Sequence, residues 1–327
     1  MPRIAIPLPH SSDREYAERA IPQYEQAVVQ AGGEPIRIPL DETPEKIKKL
    51  IATCDAVLLP GSKADVDPEK FHAPRSPQAA PADVPRHTID ELLLEDAYLH
   101  RKPILGICYG LQSLNVFRSG SLIQHIPDFL PENLRIAVDH AAGKNVVIAH
   151  TVEIENTSNL AEILRQDTTS THVATAASAV QRSEASANSS RPSPARTTKT
   201  HPTREGHGFA LEPALSEESE RNGAANSPKG NQASAPARAN LLLPVNSSHH
   251  QSADAIGHGL RIVARCSADG IIEAVEGTAP DHFVLAVQWH PERSVEDDQS
   301  SRSIFQALVE AATERRKQLA NELGKAK

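Results

Sequence analysis

The sequence predicts an α/β domain with a mostly parallel central sheet, helices on both faces, and one long disordered insertion. Three observations carry this reading. Over the first 125 residues, short apolar segments alternate with segments of helical periodicity, which calls for right-handed crossovers and a parallel sheet covered on both sides. Residues able to do chemistry stand directly after three of the apolar segments. Residues 166–240 lose the pattern: 45 of these 75 residues are Ala, Ser, Thr, Pro or Asn. The stretch has only five large apolar side chains, Val173, Val180, Phe209, Leu211 and Leu215. So few cannot offset an ordering cost of about 1–2 kcal/mol per residue.

Residues 4–6 predict a first strand, and the helix after it runs to Ala31, where Gly32-Gly33 can take the left-handed stop. Residues 35–40 predict a second strand. Thr43-Pro44 reads as N-cap and first helical residue of a helix to about Ala52. Residues 56–59 are a fully apolar strand running into Pro60-Gly61. Apolar positions at helical spacing cover 88–100. A buried strand follows at 103–107, then a helix from Tyr109 to about Arg118. Beyond it, 151–154 alternate like a strand and Asn159 opens a short helix. After the low-complexity stretch, 261–265, 271–275 and 283–289 read as strands, with turns at Gly270 and Gly277. A last helix starts near residue 297. The expected layout is one domain in two parts, 1–165 and 241–315, with the insertion at 166–240 and a charged tail at 316–327.

The net charge is −8, from 34 Lys and Arg against 42 Asp and Glu, which argues against a nucleic-acid partner. Three widely spaced cysteines, Cys54, Cys108 and Cys266, form neither a disulfide framework nor a metal-ligand spacing and fit a reduced compartment. No apolar run approaches the ~20 residues needed to cross a bilayer, and the Pro-broken N-terminus does not read as a signal sequence. A soluble cytoplasmic protein with no membrane partner is expected.

Gly106-Ile107-Cys108-Tyr109-Gly110 lies between an apolar strand and a helix. A nucleophile on such a turn is held out from the backbone, and the helix N-terminus aimed at the sulfur favours thiolate. Gln288-Trp289-His290-Pro291-Glu292 follows another apolar strand. Pro291 pushes His290 towards extended geometry, in which residues i and i+2 project to one side, so Glu292 can reach the His290 ring. That is the base and orienter a cysteine nucleophile needs. The turn at Gly61-Ser62, again at a strand end, can offer one oxyanion donor, with the Tyr109 N–H as the other. Each element alone also fits an ordinary buried cysteine or strand-exit loop; together, at strand C-termini, they point to catalysis.

With these residues in view, the chain resembles the class I glutamine amidotransferase-like hydrolases, a flavodoxin-like fold, and within them the gamma-glutamyl-gamma-aminobutyrate hydrolase branch. The resemblance rests on Leu58-Leu-Pro-Gly61 with Ala64-Asp-Val-Asp-Pro68, on Arg86 with Asp90-Glu91, on Gly106-Ile-Cys-Tyr-Gly-Leu-Gln112, on Val245-Asn-Ser-Ser-His-His-Gln251 and on Val287-Gln-Trp-His-Pro-Glu292. It implies a Cys108–His290–Glu292 triad, a gamma-glutamyl thioester, and a glutamyl end held by Gln112, Ser248 and His249. It also implies a small gamma-glutamyl substrate and no metal or organic cofactor. Adjacent His249 and His250 point apart on extended chain and suit packing or substrate shaping better than a metal. Two departures stand out: Tyr109 sits where the branch carries Arg, and Gly61-Ser62-Lys63 replaces a Gly-Gly run, where a left-handed turn would strain Ser62. Two other functions remain open at this point: a glutaminase subunit feeding ammonia to a separate synthase, and a non-catalytic binding module. Oligomeric state, homo-oligomer or monomer, is not legible.

Overall fold

A computed structural model of the chain describes residues 1–135, 137–166 and 239–325. Except at its two ends, the expected insertion at 166–240 lies outside the described residues. The strands are β1 (Arg3–Pro7), β2 (Glu34–Ile38), β3 (Ala56–Leu59), β4 (Ile104–Ile107), β5 (Leu122–Ile123), β6 (His150–Ile154), β7 (Leu241–Val245), β8 (Ser252–Ala253), β9 (Leu260–Cys266), β10 (Ile272–Gly277) and β11 (Val284–Val287). Nine of the described strands form one sheet in the order β2-β1-β3-β4-β11-β10-β9-β6-β7, and β5 pairs with β8. The β2-to-β11 run is parallel. The remainder, from β11 to β7, is antiparallel.

The parallel strands are buried on both faces, so their alternate residues feed two cores. Ile4, Ile6, Leu58, Leu105 and Ile107 pack with Ile21 and Val28 of α1 (Arg14–Gln30) and with Phe305 and Leu308 of α8 (Gln299–Lys325). Ala5, Val57, Leu59 and Ile104 pack on the other face, with Ile47 and Ile51 of α2 (Pro44–Ala52), Leu93 and Leu94 of α3 (Val84–His100) and Leu111 and Leu114 of α4 (Tyr109–Phe117). Short helices α5 (Ile126–Phe129) and α6 (Glu132–Arg135) and the α7 helix over 159–166 complete the described elements.

Local chemistry sets the element ends. Asp13 caps α1 by accepting the Tyr16 N–H, and Gly32 stops it at φ +87°. Helix α3 starts four residues earlier than its apolar spacing predicts, because Asp83 caps Arg86 N–H and a proline sits in the first turn. The strand expected at 283–289 stops at Val287. Edge strand β7 is not legible in the sequence, since Leu-Leu-Leu-Pro has no polar alternation. Its Pro244 pairs opposite Thr151 on the sheet's outer edge, where a missing N–H is tolerated. Helix α8 continues through the boundary expected at residue 316 as far as Lys325.

Two glycines let β4 and α4 meet. A Cβ on Gly110 would lie 2.2 Å from the Leu59 carbonyl oxygen, and one on Gly106 would lie 2.9 Å from the Gly110 backbone. Gly110→Ala is therefore expected to lower stability by about 1–3 kcal/mol or more, read from urea unfolding. An unchanged midpoint would show that α4 can slide off β3.

Candidate active site

Strands β3, β4 and β11 are neighbours and parallel, with Leu59 opposite Gly106 and Ile107 opposite Val287. The residues just past their C-terminal ends therefore converge: Gly61-Ser62, Cys108 and His290. This is where open α/β sheets place ligands. A cavity of about 710 Å³ opens there, and Cys108, Tyr109, Gln112, Ser248, His249 and His290 are among its lining residues.

Cys108 links β4 to α4 at positive φ, with φ +54° and ψ −107°, outside the left-handed helical well. A side chain rarely adopts that geometry, and the cost is of order 1–3 kcal/mol. The flanking packing holds it there: Cys108 N–H donates to Val287 O at 2.8 Å, and its carbonyl accepts from Leu111 and Gln112. The sulfur thus stands over the sheet edge at the start of α4, with 6% of the residue exposed.

His290 is buried, and Asn246 grips its backbone from both sides. His290 N–H donates to Asn246 Oδ1 at 2.9 Å, and Asn246 Nδ2 donates to the His290 carbonyl at 2.8 Å. The ring Nδ1 lies 2.7 Å from Glu292 Oε1. Nε2 makes no hydrogen bond among the described residues. Burial depresses the His290 pKa, but the Glu292 charge, followed by that of Cys108, outweighs it and raises the value to about 9. Glu292 is pushed up by burial, yet the His290 charge and hydrogen bond hold it below the usual carboxylate range. The expected pairing forms by a different route: Pro291–Arg293 is a turn of 3-10 helix, not extended chain, and it folds Glu292 back under the ring.

The oxyanion region needs one correction. The Gly61 N–H donates to the Tyr24 hydroxyl at 3.1 Å, so it is not a free donor. Gly61 contributes its missing side chain instead: a Cβ there would lie 3.0 Å from His290 Cε1 and 3.1 Å from the Tyr24 hydroxyl. Ser62 has no positive φ, so the turn runs without the left-handed strain that a Gly-Gly replacement suggested. No backbone hydrogen bond from the Ser62 or Tyr109 N–H occurs among the described residues, and Tyr109 opens α4, where the first N–H groups lack partners within the helix.

Beneath the cavity, the Tyr109 ring is buried with the Arg86 guanidinium 4.9 Å from its centroid. Arg86, fully buried, pairs with Asp90 at 2.8 Å and donates to Pro9 O and Pro60 O. It ties the loops after β1 and β3 together under the site. Gln112 Nε2 donates to Gln251 O at 3.1 Å and lies 3.3 Å from Gln288 Oε1. His249 lines the cavity but turns Nδ1 to Gln251 O, 2.9 Å away, while His250 pairs with Asp65. The two rings point apart, as adjacent residues on extended chain should. Tyr24 carries no sequence signal of its role; Asn246 was visible only inside a longer motif.

The Peptidase C26 family matches residues 5–191 and 228–292. A glutamine amidotransferase-like protein of Rickettsia prowazekii is 28% identical over 293 residues, covering 88% of this chain and 87% of its own. A gamma-glutamyl-gamma-aminobutyrate hydrolase of Escherichia coli K12 is 26% identical over 297 residues, covering 88% and 84%. Among solved structures, a Thermoplasma acidophilum protein described as a subunit of GMP synthase superposes with a TM-score of 0.50 at 11% identity, covering 98% of each chain, which speaks to the fold alone. None of the described helices is long and apolar enough to cross a membrane. With its matched residues running through both the Cys108 elbow and the His290–Glu292 turn, the chain belongs to the Peptidase C26 family, class I glutamine amidotransferase-like, and is a hydrolase acting on amide bonds.

Proposed function

We propose that the protein hydrolyses small gamma-glutamyl amides through a Cys108 thioester. The observation that carries this is the His290 ring, paired with Glu292 on one nitrogen, with no ordinary hydrogen-bond partner on the other among the described residues, and electrostatically coupled to Cys108. In the proposed reaction the Cys108 thiolate attacks the gamma-carbonyl carbon, forming a C–S bond as the carbonyl electrons move to oxygen. The N–H groups of Ser62 and Tyr109 receive that oxyanion. The C–N bond then breaks, and the His290 imidazolium gives its proton to the departing amine. His290, now neutral, takes a proton from water; the hydroxyl attacks the thioester, and glutamate leaves as the thiolate returns.

Arg19, Lys63, Lys144 and Arg293 line the cavity and suit the carboxylates of a glutamyl substrate. Cys54, Cys108 and Cys266 are all free thiols, in keeping with a cytoplasmic setting. The test is a panel of gamma-glutamyl amides, including glutamine and gamma-glutamyl-aminobutyrate, followed by mass spectrometry. An electrophilic glutamine analogue should leave its adduct on Cys108, blocked by substrate. Turnover of glutamine alone, and only beside a synthase, would instead assign an ammonia-supplying role. No turnover and no adduct would leave a binding module.

A further inference from the structure

We infer that His140, His150, His249 and Glu273 form a binding site for one divalent transition-metal ion of the zinc type, behind the cavity wall. No ligand spacing betrays it in the sequence, where no such cluster was expected; the fold gathers it from β6, β10 and the segments preceding β6 and β8. Glu273 has no exposed surface. Its Oε1 lies 2.9 Å from His150 Nε2, 3.3 Å from His140 Nδ1 and 3.6 Å from His249 Nε2. Bonds of about 2.0–2.2 Å at tetrahedral angles place neighbouring ligand atoms roughly 3.3–3.5 Å apart. The ligand atoms of His140, His150 and Glu273 all fall within 4.8 Å of one another, so an ion would draw them in by about an ångström.

The outer partners decide what these nitrogens present. His140 Nε2 lies 2.8 Å from Asp269 Oδ2, and His249 Nδ1 lies 2.9 Å from Gln251 O. Both partners are acceptors, so both nitrogens carry the proton. In neutral rings, His140 Nδ1 and His249 Nε2 are bare lone pairs facing an anionic oxygen. Among the described residues neither has a partner in ordinary hydrogen-bond geometry, and neither does Glu273 Oε2. Lone pairs turned on a carboxylate in a dry interior repel unless a cation lies between them. With no cation there, burial lowers the His140 pKa, but the hydrogen bonds of Asp269, Cys266 and Glu273 overcome it and raise the value to about 11, so a proton on His140 is the alternative occupant. The pattern of a ligating histidine whose other N–H meets a carboxylate or carbonyl is the arrangement that orients metal ligands.

Charge points the same way. Asp269 and Glu273 side chains are both sealed from solvent, and one dication balances them. A second imidazolium beside a protonated His140 would sit side by side with it, since the His140 ring lies 4.8 Å from that of His150 and 4.9 Å from that of His249. A second grouping, His140 with Cys266 and Asp269, is less apt, because it would take from the His140 ring the carboxylate that orients its Nδ1 towards Glu273. With nitrogen and oxygen donors and no sulfur, the set suits zinc or cobalt. Bound there, the ion would fix His249 in the cavity wall.

The test uses full-length Cys108→Ala protein, so that the Cys108–His290 pair cannot hold metal. It is stripped with chelator and titrated with Zn2+ and Co2+. One equivalent should bind and raise the melting temperature, and Co2+ should show tetrahedral visible bands. Adding Glu273→Gln, which keeps the side-chain shape, should weaken binding roughly tenfold or more; His249→Ala carries the same measurement should Glu273→Gln fail to fold by circular dichroism. No stoichiometric binding would overturn the site in favour of a proton on His140. Binding equally tight in the variants would place the ion elsewhere and overturn it as well.

Discussion

Cys108→Ala is expected to remove the proposed gamma-glutamyl hydrolase activity, lowering kcat by about 10⁴-fold or more. The proposed covalent route passes through one sulfur, and no other cysteine lines the cavity; Cys54 and Cys266 are buried elsewhere. The substitution deletes one buried atom and keeps the backbone of the elbow, whose geometry rests on Gly106, Gly110 and the Val287 carbonyl. Stability should accordingly change by no more than about 1 kcal/mol. Substrate binding should survive, so the variant is expected to retain substrate in equilibrium dialysis while turning none over. Parent-like turnover by the variant would end the thioester mechanism.

Glu292→Gln is expected to lower kcat by about a hundredfold or more and to move the alkaline limb of the pH–rate profile. In the proposed mechanism the active form carries a protonated His290, whose pKa is raised to about 9. Activity should fall as pH rises through that value, because the leaving amine loses its proton donor. Burial opposes the charged ring, and the Glu292 charge is the largest influence raising its pKa. Removing that charge leaves burial less opposed, so the ring loses its proton at lower pH and the limb shifts acidward. Stability follows the same sign. A pKa raised above 6.5 gives a contribution present in full below that value and lost as pH climbs through about 9. An alkaline limb that stays in place in Glu292→Gln, measured as kcat/KM against pH, would show that His290 is not the group being titrated.

The longer helices and the parallel strands were legible because their signals are local, while the one-turn helices α5 and α6 were not expected. Fully apolar runs such as 56–59 must be buried on both faces, and Thr43-Pro44 and Gly32 act within a turn of their own position. The edge strand β7 and the β5–β8 pair were not, because each takes its identity from a partner far away in the chain. The grouping of Cys108, His290 and Glu292 was legible for a related reason: each stands at the exit of a buried strand, and parallel strands bring their exits to one edge. The donor at Gly61 was misread because Tyr24, on another element, takes up its N–H.

By itself, then, the amino-acid order determined the layered α/β plan, the elbow at Cys108 and the pairing of His290 with Glu292, all consequences of short-range sterics and burial. Only the tertiary structure decided that β11 lies beside β4, that Asn246 clamps His290, and that His140, His150, His249 and Glu273 meet. Those contacts join residues up to 180 positions apart in sequence, and they exist because burying the apolar faces of the strands fixes which polar side chains must share the interior.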